Sequence, residues 1–239
     1  MTIRCVLLDI EGTILPVTFV RDVLFPYARH RIGSFLHDQM GNTIVREWAT
    51  ICQDAIEHEQ GTRPSYEDLA PFLDRWIAED RKHPGLKALQ GIIWEEGYRT
   101  GAFAPRLYED VPPALHRWHR NGLRLALYSS GSEQAQRLLI EHTTAGNLTD
   151  LFSDFFDTGV GAKSETASYH RIAGRLGLRP EGILFLSDVE MELEAATAAG
   201  LRTLHVVRPG THPGTRHPIC STFNDFSEAG STPSTMITL

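Results

Sequence analysis

Two acidic residues one position apart are the first candidates for chemistry in this chain. Asp9 and Glu11 follow an almost continuously apolar run at residues 3–8, and Gly12 ends that run. Because side chains alternate along an extended chain, both carboxylates share one side of it. One carboxylate could attack phosphorus while the other handles the leaving-group proton, so the pair suits phosphoryl transfer. Taken alone, the segment also fits a strand-end turn with two solvated acids.

Hydroxyl and backbone N–H groups are predicted to gather after a strand at 123–128. Ser129, Ser130 and Gly131 lie there, just before a helix at 133–142. The amino terminus of a helix attracts anions because its N–H groups are unpaired, so this segment could hold a phosphate. Helix capping alone would explain one of the two serines. A serine-nucleophile elbow is rejected because the glycines it needs on either side of the serine are missing.

A lysine and two further acids lie near other predicted strand ends. Lys163 precedes a helix at 167–176, where a fixed cation would suit a phosphoryl site. Asp188 follows a strand at 183–186, and Glu192 lies about one helical turn further on, so oxygen ligands for Mg²⁺ could gather there. In isolation, Lys163 would be a surface lysine and Asp188 a helix cap. The glycines before Lys163 match neither a phosphate loop nor a dinucleotide fingerprint, so neither an NTPase nor a dehydrogenase is supported.

The elements that would position these residues alternate between strand and helix. The predicted strands are at 3–8, 123–128, 154–156, 183–186 and 202–207, and the predicted helices that separate them are at 112–120, 133–142, 167–176 and 191–199. Such alternation implies a parallel sheet covered by helices, in which ligands bind outside the carboxyl ends of the strands. The predicted fold class is therefore α/β, with a Rossmann-like parallel sheet and helices on both faces.

Residues 19–99 differ from the rest because they carry helical periodicity and little strand pattern. The predicted helices are at 19–36, 43–58, 66–81 and 85–98, and Pro26 interrupts the first of them. We therefore predict a helical insertion between the first and second strands. The aromatic residues Phe25 and Tyr27 could simply pack within it.

The composition limits the partners and the location that we expect. At 239 residues the chain can bury a full core, and Cys5, Cys52 and Cys220 lack the spacing of a disulfide framework or a zinc site. A formal charge of −7 opposes binding to nucleic acid or to an anionic membrane. The sequence shows neither a secretory signal layout nor an apolar run near the ~20 residues of a membrane span. We expect a cytoplasmic protein with a small-molecule partner.

The motifs, taken in order, resemble those of the haloacid-dehalogenase superfamily. They are DIEGT at 9–13, the strand-ending serine, the lysine before a helix and the strand-ending aspartate. Within that superfamily the chain is most similar to the enolase-phosphatase family of methionine salvage, through the segments 19–28, 128–139, 156–173 and 183–196. The resemblance covers residues 3 to about 210. Glu11, in place of the usual second aspartate of the superfamily, is its most specific mark.

The resemblance implies a bifunctional enzyme, an acireductone synthase. It would convert 2,3-diketo-5-methylthiopentyl-1-phosphate to the acireductone 1,2-dihydroxy-3-keto-5-methylthiopentene and phosphate, by enolisation followed by dephosphorylation. Asp9 would attack the phosphoryl group and become an aspartyl-phosphate. Glu11 would protonate the leaving enol oxygen and then deprotonate the hydrolytic water. One Mg²⁺ per subunit would serve both steps, with Asp9, the backbone carbonyl of Glu11 and Asp188 as its ligands.

The remaining site residues follow from the same resemblance. Ser129, with the N–H groups of Ser130 and Gly131, would hold the phosphate oxygens, and Lys163 would balance the charge of Asp9 and the phosphate. Glu192 would orient either a metal-bound water or Lys163. The base for enolisation is not identified, although Glu11 is a candidate by position if its surroundings adjust its pKa.

The resemblance also divides the chain into parts with distinct roles. It implies an α/β catalytic core at 1–16 and 105–229, a helical cap at 17–104 and a flexible tail at 230–239. Phe25 and Tyr27 would be contacts for the methylthio tail of the substrate, and the protein would be a monomer.

Three alternatives stay open at this point. The same core motifs would serve a phosphatase for another small phosphate monoester, because the cap selects the substrate. A hydrolytic dehalogenase also uses an aspartate nucleophile, but it does not need the metal-binding carboxylate of Asp188. A non-catalytic phosphate-binding module would be expected to lack the nucleophile or the acid, and this chain retains both Asp9 and Glu11.

Overall fold

The described part of the chain forms two compact units. The computed structural model describes residues 2–225. One unit contains the described residues up to Val17 and from Ala104 onward, and the other unit is Thr18–Phe103. The predicted tail at 230–239 and the end of the predicted core at 226–229 lie outside the described residues. The roles of catalytic core and cap stay predictions.

The smaller unit is helical. Its α-helices are α1 at Phe25–Asp38, α2 at Thr43–Gln60, α3 at Ala70–Ala78 and α4 at Pro84–Arg99. The Asn42 side chain caps α2 by accepting from two backbone N–H groups, and Gly61 ends this helix with a φ of 72°. The apolar faces of the four helices meet in a core that includes Ala49 and Leu73. The helical periodicity of this segment is thus explained by burial.

Prolines explain where two of these helices differ from the predicted ones. The sequence predicts one helix at 19–36 interrupted by Pro26, whereas a π-helical turn at Val20–Leu24 leads directly into α1. Pro26 lies in the first turn of α1, where its missing N–H is tolerated. Pro71 lies in the first turn of α3, so this helix begins at Ala70, later than predicted.

Within residues 2–225, a parallel sheet of six strands organises the larger unit. The strands are β1 at Cys5–Leu8, β2 at Arg124–Tyr128, β3 at Asp154–Phe156, β4 at Ile183–Ser187, β5 at Arg202–Val206 and β6 at Ile219–Cys220. Their spatial order is β3-β2-β1-β4-β5-β6, and each neighbouring pair is parallel. The predicted α/β fold class is confirmed. The sequence did not predict β6, because a strand of two residues has no detectable alternation.

The register of the central strands brings three site segments to one edge of the sheet. All four residues of β1 are buried, which explains the continuous apolar run before Asp9. Leu8, the last residue of β1, pairs with Leu127 of β2 and with Leu186 of β4. The segments that begin at Asp9, Ser129 and Asp188 therefore leave the sheet at its carboxyl edge, where open α/β sheets bind ligands.

Four further α-helices connect the strands. They are α5 at Val111–Arg120, α6 at Glu133–Glu141, α7 at Thr166–Leu176 and α8 at Glu190–Ala198, each within one residue of its predicted bounds. Tyr169 of α7 and Leu193 of α8 share a core with Leu7 and Phe185 of the sheet. Trp118 of α5 is buried as well. None of the helices between residues 2 and 225 is long and apolar enough to cross a membrane.

Candidate active site

Asp9 lies buried at the carboxyl end of β1, with only 6% of its surface exposed. Its backbone N–H donates to the Leu186 carbonyl at 2.9 Å, which fixes the point from which the side chain starts. Thr13 Oγ1 donates to Asp9 Oδ2 at 3.2 Å, and Lys163 Nζ forms an ion pair with Asp9 Oδ1. Each carboxylate oxygen therefore has its own partner, and the orientation of the carboxylate is set.

The turn after Asp9 depends on Gly12. The φ of Gly12 is 74°, in the left-handed region that favours glycine. A Cβ atom at this position would lie 2.3 Å from Asp188 Oδ2, so the Asp188 carboxylate lies directly against the Gly12 backbone. The Ile10 carbonyl accepts hydrogen bonds from the N–H groups of Thr13 and Ile14, which makes the turn tight. Glycine is required here both for conformation and for space.

Lys163 joins two carboxylates that come from different strand ends. Besides its ion pair with Asp9, its Nζ lies 2.7 Å from Glu192 Oε2. Burial by itself would lower the pKa of Lys163, but the charges of Asp9 and Glu192 outweigh burial and raise it well above its usual range. Lys163 is consequently a permanent cation within the site.

Glu192 is held between Lys163 and the end of β4. Ser187 Oγ donates to Glu192 Oε2 at 2.9 Å, and the same hydroxyl accepts from the Val189 N–H at 3.1 Å. Burial and the negative charge of Asp9 raise the pKa of Glu192. The sequence allowed Glu192 to orient either a metal-bound water or Lys163. The structure places its carboxylate against Lys163.

Asp188 has a buried oxygen without a partner. Among residues 2–225, its Oδ1 makes no hydrogen bond. Burial, followed by the negative charge of Asp9, raises the pKa of Asp188 to about 7. A buried carboxylate that has an oxygen without a hydrogen bond and lies beside another carboxylate is unfavourable unless a cation neutralises it.

These properties fit a Mg²⁺ site at Asp9 and Asp188. The described residues contain no cluster of three or more His, Cys, Asp or Glu side chains arranged to hold a metal. Mg²⁺ does not need such a cluster, because it usually takes one or two protein carboxylates and completes its shell with water and phosphate oxygens. The unpartnered oxygen of Asp188 is the observation that favours the ion. Glu11 lies partly buried two residues after Asp9, and its backbone bridges to Leu15.

Ser129 follows β2 at the same sheet edge at which Asp9 follows the neighbouring strand β1. Its backbone N–H donates to the Phe156 carbonyl at 3.1 Å, and its Oγ accepts from the Gly131 N–H at 3.2 Å. Ser129 is buried and Ser130 is exposed. The Gly131 N–H would therefore have to exchange its bond with Ser129 for one with a phosphate oxygen.

Ser132, rather than Ser129 or Ser130, is the cap of α6. Its Oγ accepts from the Ala135 N–H at 3.3 Å. The N-cap position of α6 is thus Ser132, and the Ser129 hydroxyl bonds to the Gly131 N–H instead. Ser129 remains close to the site with a hydroxyl that α6 does not use.

Two partners of the site residues were not predicted from the sequence. Thr13 bonds to Asp9 and Ser187 bonds to Glu192. Both lie inside segments that were recognised, four residues after Asp9 and one residue before Asp188. The sequence shows both residue types, but each bond depends on the conformation of the chain just after β1 or β4.

Phe25 and Tyr27 pack within the helical unit. The Phe25 ring stacks with Trp94 at a centroid distance of 6.3 Å, and Tyr27 meets Phe103 edge to face at 5.0 Å. This is the packing role that the sequence left open for them. Their predicted contact with a substrate stays a prediction.

The arrangement has the parts of a phosphoryl-transfer site. A carboxylate in a fixed orientation, Asp9, lies beside a permanent cation, Lys163. Within residues 2–225, the Oδ1 atom of a second carboxylate, Asp188, has no hydrogen-bond partner. The cation can neutralise a phosphoryl group as it approaches, and the carboxylate can attack it. This combination on a parallel sheet defines the class of protein, a hydrolase of the haloacid-dehalogenase type, and the family model described as haloacid dehalogenase-like hydrolase matches residues 3–200.

Similar proteins narrow the class further. Enolase-phosphatase E1 of Gluconacetobacter diazotrophicus is 47% identical over 97% of this chain and 96% of its own length. Enolase-phosphatase E1 of Klebsiella pneumoniae is 47% identical over 93% of this chain and 96% of its own. The crystal structure of the UTR4 protein from Saccharomyces cerevisiae superposes with a TM-score of 0.76 at 30% identity, covering 93% of this chain and 99% of that one. This chain belongs to the enolase-phosphatase E1 family, which confirms the family predicted from its motifs.

Proposed function

We propose that this protein converts 2,3-diketo-5-methylthiopentyl-1-phosphate to the acireductone and inorganic phosphate, as a bifunctional enolase-phosphatase of methionine salvage. The observation that carries the proposal is the fixed Asp9 carboxylate, held by Thr13 and Lys163 beside Asp188, whose Oδ1 has no hydrogen-bond partner among residues 2–225. The names of its relatives support both activities, enolase and phosphatase. Glu11, the residue that separates this family from the usual motif, supplies the second carboxylate.

The phosphatase step begins with Asp9. A carboxylate oxygen of Asp9 forms a bond to phosphorus while the bond from phosphorus to the ester oxygen breaks, and Glu11 protonates that oxygen. Glu11, now ionised, takes a proton from a water molecule that attacks the phosphorus of the aspartyl-phosphate. This second attack breaks the bond between Asp9 and phosphorus, releases phosphate, restores the Asp9 carboxylate and leaves Glu11 protonated, as it was before the first step. Lys163 neutralises charge on Asp9 and on the phosphoryl oxygens in both steps.

The other residues bind and orient the phosphate and the metal. Ser129 and the N–H groups of Ser130 and Gly131 would hold phosphate oxygens, and Asp188 with Asp9 and the Glu11 carbonyl would hold one Mg²⁺ per subunit. When bound, Mg²⁺ would polarise the neighbouring carbonyl groups and neutralise phosphoryl charge. Glu11 is the candidate base for enolisation.

The remaining predictions extend this proposal to the whole chain. We propose that the helical unit is the cap that recognises the methylthio tail, with Phe25 and Tyr27 as candidates for that contact. A monomeric state and a cytoplasmic location follow from the family resemblance and from the composition.

The test of the proposed function follows both steps in one reaction. The purified chain is incubated with the diketo phosphate, with Mg²⁺ or with EDTA, while ultraviolet absorbance reports the enol and ³¹P NMR reports phosphate. We expect both products with Mg²⁺ and neither with EDTA. Phosphate release from other monoesters alone would support the phosphatase alternative and contradict the proposed substrate. Turnover of neither kind would favour a binding module.

A further inference from the structure

The loop that carries Lys163 has four successive backbone carbonyls, each of which accepts a hydrogen bond from a different side chain. The four bonds are Arg171 Nη1 to Val160 O at 2.7 Å, Tyr128 OH to Gly161 O at 3.0 Å, Ser168 Oγ to Ala162 O at 2.8 Å and Tyr169 OH to Lys163 O at 2.7 Å. The Ala162 carbonyl also accepts from the Glu165 N–H at 3.0 Å. Loop carbonyls have no strand or helix partners, so these side chains supply hydrogen bonds that regular secondary structure would supply elsewhere.

The packing around Gly161 leaves no room for a side chain. Gly161 has a φ of 128°, which side chains other than hydrogen rarely permit. A Cβ at Gly161 would lie 2.2 Å from Ser168 Oγ and 2.7 Å from Arg171 Nη1. The backbone just before Lys163 is thus enclosed by the groups that bind it.

Two of the four donors are tyrosines fixed in the core. Tyr128 of β2 and Tyr169 of α7 are fully buried, and their rings meet edge to face at 5.6 Å. Tyr169 also packs on Phe185 of β4 at 5.3 Å. The positions of both hydroxyls are therefore set by the sheet and by α7. The Tyr128 ring additionally lies 5.6 Å from Lys163 Nζ, within the range of a cation–π contact.

Both hydroxyls keep their protons. Burial raises the pKa of Tyr128 and, more strongly, that of Tyr169. Each tyrosine therefore remains a hydrogen-bond donor at neutral pH. The hydrogen bonds from the two tyrosine hydroxyls to the loop carbonyls therefore persist at neutral pH.

We propose that Tyr128 and Tyr169 are positioning residues that hold the Lys163 ammonium against Asp9. A lysine side chain loses conformational entropy when its ammonium group is held against Asp9. A fixed backbone at Lys163 lowers this entropy cost, because the loop does not have to be ordered as well. A cation that neutralises the reacting phosphoryl group must be correctly placed, because a displacement of about 1 Å can slow a reaction by about 100-fold. This inference rests on the proposed phosphoryl transfer, and it assigns that reaction two residues to which the sequence motifs gave no role.

The first experiment removes each hydroxyl and keeps its ring. We expect Tyr128→Phe and Tyr169→Phe to lower the single-turnover rate of phosphate release at least about tenfold, because Lys163 is displaced, while KM changes by less than about twofold. Tyr66→Phe is the matched control. Tyr66 OH donates to the Leu36 carbonyl at 3.1 Å within the helical unit, so this variant loses the same kind of bond far along the chain from Lys163.

The second experiment asks whether the tyrosines act through Lys163. Orthovanadate, a mimic of the phosphoryl transition state, is titrated against the wild type, Tyr169→Phe, Lys163→Met and the double variant. We expect Tyr169→Phe to weaken vanadate binding in the wild-type background and to have no further effect in the Lys163→Met background. Equal losses in both backgrounds would show a general structural effect and overturn the inference.

The two experiments also separate this inference from the proposed function. A wild type that releases no phosphate from the diketo phosphate would contradict the function, whereas the vanadate cycle would still decide the positioning role. Full activity and full vanadate affinity in both tyrosine variants, beside an active wild type, would overturn the positioning role and leave the proposed function in place.

Discussion

At the scale of single residues, Gly12 couples the turn after Asp9 to the position of Asp188. Alanine at Gly12 would have to adopt a φ of 74° and would place a Cβ 2.3 Å from Asp188 Oδ2. We expect Gly12→Ala to lower the free energy of unfolding by about 1–2 kcal/mol from backbone strain. We also expect weaker Mg²⁺ binding, because Asp188 must move. Urea unfolding and Mg²⁺ titration of phosphate release measure the two effects.

Gly122→Ala is the matched control for that variant. Gly122 has a φ of 78°, but a Cβ there would have no neighbour within 4 Å. The Gly122→Ala variant should lose as much stability as Gly12→Ala, and its Mg²⁺ dependence should match that of the wild type. A similar Mg²⁺ dependence in the two alanine variants would disprove the contact between Gly12 and Asp188.

Asp9 can be tested by a nearly isosteric change. Asp9→Asn keeps an oxygen that can accept from Thr13, but it removes the negative charge and the nucleophile. We expect phosphate release to fall by at least about 10⁴-fold, a loss typical of removing a catalytic nucleophile. Thermal unfolding and circular dichroism should show that the fold persists. Substantial phosphate release from a folded Asp9→Asn variant would refute covalent catalysis.

At this scale the sequence was informative for residues whose type alone suggests chemistry. Asp9, Lys163 and Asp188 were singled out from their positions at strand ends, and the structure brings them together. The unpartnered oxygen of Asp188 could not be foreseen, since it depends on what the surrounding chain leaves unpaired. The partners Thr13 and Ser187 were missed because their bonds depend on how the chain turns after β1 and β4.

At the scale of elements, the start of α6 assigns different tasks to two serines. Ser132 caps the helix, whereas Ser129 leaves the sheet beside Asp9. We expect Ser132→Ala to lower the free energy of unfolding by about 1 kcal/mol with little change in KM. We expect Ser129→Ala to lower kcat/KM by about tenfold or more, because a phosphate donor is lost. Urea unfolding and steady-state kinetics of both variants measure the two effects. A large loss of kcat/KM in Ser132→Ala, together with a loss of stability alone in Ser129→Ala, would contradict this division.

The elements themselves were largely predictable. Alternating apolar segments and helical periodicity gave the parallel sheet and α5 to α8, because burial on both faces dictates those patterns. The short strand β6 and the π-helical turn at Val20–Leu24 were not predicted, because neither has a pattern of its own. The hydrogen bonds to the carbonyls of residues 160–163 were also beyond the sequence, since their donors come from β2 and α7.

At the scale of the larger unit, Arg208 connects segments that are far apart in the chain. Its guanidinium pairs with both oxygens of Asp110 at 3.0 and 2.9 Å, and Nε donates to the Thr13 carbonyl at 3.2 Å. It also lies between the rings of Tyr108 and Phe223, at 4.5 and 4.7 Å. The turn that contains Thr13 is thus tied to the end of the described chain.

The Asp110–Arg208 pair gives stability a defined pH dependence. Burial alone would raise the pKa of Asp110, but hydrogen bonds from Arg208 and from the Phe223 N–H outweigh it and lower that pKa. The stability that the pair contributes is therefore present above the unfolded pKa of about 3.9 and is lost as pH falls through the folded pKa. We expect Asp110→Asn to cost about 3 kcal/mol at neutral pH, and its difference from the wild type to shrink in acid. Urea unfolding over that pH range measures both.

An exposed ion pair in the helical unit provides the control. Arg29 and Asp74 also form two hydrogen bonds, at 2.7 and 3.0 Å, but their side chains are 47% and 39% exposed, against 4% and 11% for Arg208 and Asp110. Asp74→Asn should cost no more than about 1 kcal/mol. Equal costs for the two variants would contradict the importance of burial for the Arg208 pair.

The central claim is that Asp9 carries the phosphoryl group, and one measurement tests it most directly. The protein is quenched during turnover of the diketo phosphate and treated with borohydride, which reduces an aspartyl-phosphate to homoserine, and the peptide that contains residue 9 is analysed by mass spectrometry. We predict homoserine at position 9 in the wild type. An unmodified Asp9 in an enzyme that is releasing phosphate, or homoserine at another aspartate, would contradict the mechanism.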